Sequence, residues 1–210
     1  ISSNTGYAGN LPHKGKSAGE SETADFITDV MRKTTGAEIA IINHLAVRKG
    51  LDGIVSISDI RDALPFENEI VTIDLKGSAI EELMQSNAIK NNVFYQVSGL
   101  TLGIKPPDGE EQQKNTEQTP PISQQEKRVI VFCGGKPIEP DKTYRVATID
   151  YLVNSDKEKY SLFKNAATVR FTGICLNHAV MDYIAHYPFI APVQKRMLID
   201  DACSISMLES

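Results

Sequence analysis

The chain has 210 residues, 41% of them hydrophobic, with a formal net charge of −5 and a pI of about 5.4. That is enough apolar material for one sizeable core, while the basic residues are scattered singly or in pairs and give no footprint for a nucleic-acid polymer. No run approaches the roughly 18 apolar residues of a transmembrane segment, and ISSNTGYAGN lacks the charged start and apolar centre of a signal peptide, so a chain opening on Ile1 reads as a mature, cleaved or excised product.

The first predicted element is a helix over SETADFITDVMRKTTG. Ala24, Ile27, Val30 and Met31 recur at helical spacing and Gly36 closes it. AEIAIIN follows as a buried strand, then HLAVRKGLDGIVSI as a loop with two glycines. SDIRDAL fits a short helix capped by Ser58. Phe66 then stands in a loop between Pro65 and Glu67, before a strand in which Val71, Ile73 and Leu75 alternate with Thr72, Asp74 and Lys76 and which Gly77 ends. Ser78 and Glu81 have capping-box spacing for a helix to about Lys90. FYQVSGLTLGI and KRVIVFCGGKPIEPDKTYRVATIDYLV supply strands, the second stretch turning at Gly134, Gly135 and a proline-rich link. Residues 105–127, rich in Gln, Glu and Pro, read as a long mobile loop between strands, with a lid as the other reading. GICLNHAVMDYIAHY is a late helix. The expected fold class is α/β of the mixed α+β kind, a mixed sheet with packed helices.

Cysteine and histidine point to no centre. Cys133, Cys175 and Cys203 lie far apart and read as ordinary buried thiols. His13, His44, His178 and His186 form no ligand motif, and the last two sit at positions of one helix. No nucleophile and base pairing shows in the sequence.

The blocks GES…ADFITDVMR, GAEIAIIN…R, G.VSISDIRDALPFENEIVTIDLKGSAIEEL, FYQVSGLTL and KTYRVATIDYLV together resemble the carboxy-terminal domain of 5'-nucleotidases and UDP-sugar hydrolases. The resemblance runs from about Gly19 to about Tyr187, and its most specific parts are residues 53–77, with a Pro-Phe-x-Asn loop, and Gln96 to Leu100. It implies a domain over 19–199, an extension or interdomain linker over 1–18 and a tail over 200–210. It also implies a division of labour, in which an amino-terminal metallophosphatase domain carries two divalent metals and this domain holds the nucleotide or nucleoside. No D-x-H, G-D-x-x-D, G-N-H or G-H-x-H motif occurs here. The implied two metals therefore belong to a metallophosphatase domain in the same or a separate chain, and none to this chain. The implied location is periplasmic or extracellular.

By the same resemblance, Phe66 is one jaw of an aromatic clamp on the base and Tyr151 occupies the position of the second, with Asn68 closing the Pro-Phe-x-Asn motif. The residue-level alternative for Phe66 is a plug in a satellite core. Asn43 and Arg48 match the ends of a substrate-contacting Asn-Gly-Gly-Gly-Ile-Arg run, though the inner glycines are replaced by His44, Leu45 and Ala46. A guanidinium suits phosphate or hydroxyl oxygens, and Arg48 reads equally as a solvated surface residue. Asp156 stands near the family's ribose-binding Asp, in NSDKEKY rather than a glycine-rich run, and Gly19 replaces an Arg found in some members. Two functions follow: a substrate-binding domain of a phosphohydrolase, or a non-catalytic interaction module built on the same fold.

Overall fold

The computed structural model describes residues 4–13, 20–90, 95–105, 128–190 and 196–199. The first strand, β1 (Asn4–Leu11), lies inside the segment read as an extension or linker. Helix α1 (Glu22–Thr35) begins at Ser21, whose Oγ accepts the Ala24 amide at 3.3 Å, and ends at Gly36 in the left-handed region. Strand β2 (Ile39–Asn43) is buried along its whole length, which is why its sequence is a continuous apolar run.

The expected loop after β2 is not all loop. His44–Ala46 makes one 3₁₀ turn, and Leu51–Ser56 forms β3, with Leu51 and Val55 buried. Gly53, at φ 61°, breaks the alternation that would have announced this strand. Helix α2 (Ile57–Ala63) is capped by Ser56, not Ser58: the Ser56 hydroxyl accepts the Asp59 amide while the Asp59 carboxylate accepts the Ser56 amide at 3.0 Å.

Strand β4 (Glu69–Lys76) leads directly into α3 (Gly77–Lys90). The helix opens without the expected Ser78 cap. The Gly77 and Ser78 amides instead reach the carbonyls of Lys142 (2.9 Å) and Pro140 (3.0 Å). A Cβ on Gly77 would sit 2.1 Å from the Glu139 carbonyl oxygen, so this crossing requires glycine. Then come β5 (Tyr95–Ser98), β6 (Leu100–Lys105), β7 (Arg128–Cys133), β8 (Lys136–Pro137) and β9 (Thr143–Ile149). The loop expected at 105–127 falls, apart from Lys105, outside the described residues, as do Cys203 and the tail.

The stretch read as strand through YRVATIDYLV changes at Asp150 into helix α4 (Asp150–Asn154), so Tyr151 is helical. A 3₁₀ turn (Glu158–Tyr160) and α5 (Ser161–Lys164) precede β10 (Val169–Cys175), which takes the GIC that had been assigned to the late helix. That helix, α6, spans Leu176–His186 and carries both His178 and His186. Short strands β11 (Phe189–Ile190) and β12 (Met197–Ile199) finish the fold. Cys133 and Cys175 are half-buried, not fully buried.

Three sheets share one contiguous core. The central sheet runs β10-β4-β9-β2-β5, with β2 and β9 parallel and the other pairs antiparallel. Helix α1 packs on β2 and β5, and α6 packs beside α1. The second sheet, β11-β1-β3, aligns Phe189, Tyr7 and Ile54 in one exposed row, with the Tyr7 and Phe189 rings stacked at 6.1 Å. The third runs β12-β6-β7-β8.

Arg196 pins the last strand to the body. It donates to the carbonyls of Asp25 (3.1 Å) and Val97 (2.5 Å), to Thr28 Oγ1 (3.2 Å) and to Asp29 Oδ2 (2.6 Å), and its own amide meets Glu20. Burial pushes the Asp25 carboxyl up to about 8 against the pull of Arg196, and Glu20 and Asp29 add to the rise.

Candidate functional site

The strand register brings the sequence candidates to one end of the central sheet. Strands β2 and β9 run parallel and finish there at Asn43 and Ile149, while antiparallel β4 starts there, Ile70 opposite Ile149. The loops carrying Arg48 and Phe66 and the first turn of α4 therefore converge. Asp150 fastens two of them: its Oδ1 accepts the Glu69 amide at 3.2 Å and the Tyr151 amide at 2.8 Å, tying the exit of the Phe66 loop to the helix that bears Tyr151. Sequence reasoning passed over Asp150. The available signal was an acidic residue directly between a strand and an apolar helical turn.

Phe66 is 44% exposed and Tyr151 40%, so neither ring fills a core. The Arg48 guanidinium carbon lies 5.2 Å from the Phe66 ring centroid, and the Arg48 amide donates to the Ala63 carbonyl at 2.9 Å, holding its loop against α2. On the other side, Lys157 Nζ donates to the Tyr151 hydroxyl at 3.0 Å while standing 5.7 Å from that ring's centroid. The ring radius and the C–O bond nearly account for the difference, so the ammonium caps the ring end-on and does not lie over either face. Tyr160, buried, meets Tyr151 edge to face at 5.8 Å, and burial followed by the Tyr151 neighbour pushes its phenol up to about 12.

Asn43 is 6% exposed, and its Oδ1 is buried with no hydrogen-bond partner, an arrangement that costs free energy unless something fills it. His44, in place of a glycine, stacks on His13 with centroids 4.7 Å apart, and His13 Nδ1 lies 2.8 Å from Ser21 Oγ. Burial lowers the His13 pKa, with His44 and Arg48 acting the same way. Asn68, half-buried, ties the Phe66 loop to α6 through its carbonyl, which accepts the Leu176 amide at 2.8 Å.

Asp156, on the segment after α4, is engaged by a lysine. It is fully exposed and paired with Lys164 at 2.5 Å, and that hydrogen bond lowers its pKa. A cavity of about 890 Å³ opens elsewhere, near Glu38 at the start of β2 and lined by Arg32, Lys33 and Tyr183. It contains none of the sequence candidates, and Lys33 is already engaged by the Tyr183 hydroxyl at 2.6 Å. The sheet end is the better candidate, because exposed rings, cations with no ion pair among the described residues and a buried acceptor without a partner among them coincide there.

A family model described as the 5'-nucleotidase C-terminal domain matches residues 3–165. The chain is 30% identical over 162 residues to the trifunctional nucleotide phosphoesterase protein YfkN of Bacillus subtilis strain 168, covering 70% of this chain and 10% of that protein. It is 25% identical over 136 residues to Protein UshA of Yersinia enterocolitica, covering 63% and 21%. Among solved structures, a 5'-nucleotidase precursor from Thermus thermophilus superposes with a TM-score of 0.77 at 22% identity, over 94% of this chain and 39% of that one. The NAD nucleotidase of Haemophilus influenzae does so with 0.74 at 17% identity, over 94% and 38%. The chain thus spans a small part of each curated relative, and the structural likenesses speak for the fold.

Proposed function

The chain belongs to the family of 5'-nucleotidase C-terminal domains, and from that premise we propose that it is the half of a 5'-nucleotidase-type phosphohydrolase that binds the nucleotide or nucleoside. The observation that carries this reading is the pair of exposed rings, Phe66 and Tyr151, held at one sheet end by Asp150 beside the unfilled Asn43 carbonyl. Stacking needs a π-face and not a particular base edge, so a tyrosine serves as well as a phenylalanine. Arg48, behind Phe66, supplies donors for a phosphate or a sugar hydroxyl.

Among the described residues no group of three or more His, Cys, Asp or Glu is placed to hold a metal ion. We assign the two divalent metals of the reaction class to a metallophosphatase domain in the same or a separate chain. Binding and orientation of the substrate fall to this chain. Also among the described residues, no helix is long and apolar enough to cross a membrane. An extracytoplasmic location fits the precursor form of the Thermus relative.

One observation favours the alternative, an interaction module: the row of Phe189, Tyr7 and Ile54 leaves three large apolar side chains in solvent. Titration of the purified chain with adenosine and uridine separates the two. Saturable binding supports the substrate-binding reading, and its absence in a folded sample leaves the interaction module.

A further inference from the structure

The charges around the two rings are one-sided. Arg48 and Lys157 each contact an exposed ring, and among the described residues neither is ion-paired. The carboxylates nearby are mostly spent. Asp156 is held by Lys164, Asp150 by two backbone amides, Glu69 by the Gly173 amide at 2.6 Å, and Asp59 and Asp62 by Lys49 at 3.3 Å each. Glu67 and Glu158 remain, both exposed.

Lys157 is placed to use this imbalance. Its ammonium has three donors and gives one to the Tyr151 hydroxyl, so two stay available at the rim of the ring. Because it sits in the plane of the ring, a heterocycle can stack on Tyr151 without displacing it, and groups carried by that heterocycle's sugar then come within the sweep of the lysine stem. A sugar hydroxyl there would gain an ordinary hydrogen bond; a phosphoryl oxygen would gain a charge-assisted one. Asp156, the carboxylate that would favour hydroxyls, is turned to Lys164 instead.

We propose that Lys157 is a specificity-determining residue that makes this site select a phosphorylated nucleoside over the neutral nucleoside. The inference rests on the substrate-binding reading above and adds the class of ligand. It predicts that AMP binds the full chain roughly tenfold or more tighter than adenosine, the gain expected of one or more hydrogen bonds to a charged group. Lys157→Gln should reduce the AMP-to-adenosine affinity ratio by about tenfold while adenosine affinity holds, and Lys157→Arg should keep the ratio within about threefold of the parent. Raising ionic strength should weaken AMP and leave adenosine unchanged.

Calorimetric titration of the three proteins with adenosine, 5'-AMP and 3'-AMP reads all of this. The phosphate position that loses most in Lys157→Gln identifies the sugar carbon that faces the lysine. An unchanged ratio in Lys157→Gln overturns the inference while leaving nucleoside binding intact, and so does an equal loss for adenosine and AMP, which would make Lys157 a prop for Tyr151. If the parent binds none of the three, the substrate-binding reading fails and the inference with it.

Discussion

Replacing Phe66 by alanine separates a ligand-facing ring from a structural one, because the two roles place the loss in different experiments. With 44% of its surface exposed, Phe66 hides little more than half of itself. Of roughly 200 Å² for such a residue, truncation strips on the order of 60 Å² of apolar contact, since backbone and Cβ remain; at about 25 cal/mol/Å² that is about 1.5 kcal/mol. The exposed Arg48 contact adds about 0.5 kcal/mol. Phe66→Ala should therefore cost about 2 kcal/mol of stability at most, against roughly 3–5 kcal/mol for a phenylalanine deleted from a core. Binding should suffer more in proportion, by roughly 1–3 kcal/mol per ring, and the Phe66→Ala, Tyr151→Ala double variant should lose less than the sum because both rings hold one base. Denaturant midpoints and nucleoside titrations on the parent, both single variants and the double variant measure the cycle. A stability loss above about 3 kcal/mol with nucleoside affinity unchanged would refute the reasoning.

Arg48→Ala should weaken AMP by roughly 1.5–3 kcal/mol with little change in the denaturant midpoint, and equal affinity in both proteins would return Arg48 to the role of a solvated surface residue. The purified chain should release no phosphate from AMP or UDP-glucose with Mn²⁺ or Zn²⁺ added, and metal-dependent turnover by a clean sample would contradict the division of labour. Asp25 has a folded-state pKa raised to about 8 from 3.8, so between those values the folded chain keeps a proton that the unfolded chain releases. Its contribution to stability accordingly declines as pH rises through that window. Asp25→Asn should flatten the pH dependence of the urea midpoint between about pH 4 and 8, and an unaltered slope would count against the shift. His13, with its pKa lowered, contributes in the opposite sense. Its stabilisation is present above its ordinary pKa of about 6.5 and lost on acidification, so His13→Gln should blunt the acid limb of the same profile.

How much was legible depended on whether the information was local. Helix α1 was visible because Gly36 and the apolar spacing agree, and β2 because a fully covered strand is apolar throughout. Strand β3 was lost to Gly53, and β10 to its exposure, for an edge strand with few buried positions has no apolar period to read. The site divides in the same way. Asn43, Arg48, Phe66, Asn68 and Tyr151, named from motif positions, lie toward one end of the central sheet. The pairing of Asp156 with Lys164 could not be read, because the two come close only through the intervening 3₁₀ turn and α5. Lys157 went unnoticed for the matching reason that its contact with Tyr151 exists only once α4 has turned.

The family match stops at Asn165, but the hydrogen bonding does not. Strand β10 zips along β4 from Val169 onward, and Arg196 reaches back to α1 and β5. A chain cut at Asn165 would leave Val71, Thr72 and Ile73 as a bare sheet margin, ready to recruit the same strand from another molecule. It would also leave Glu20, Asp25 and Asp29 as three carboxyls without their arginine. The hydrogen-bonded unit thus extends to Ile199, some thirty residues past the limit of the family match. The limit of the family match and the limit of the hydrogen-bonded fold are different lines on this chain, and expression of the shorter piece should yield aggregates where the longer one yields monodisperse protein.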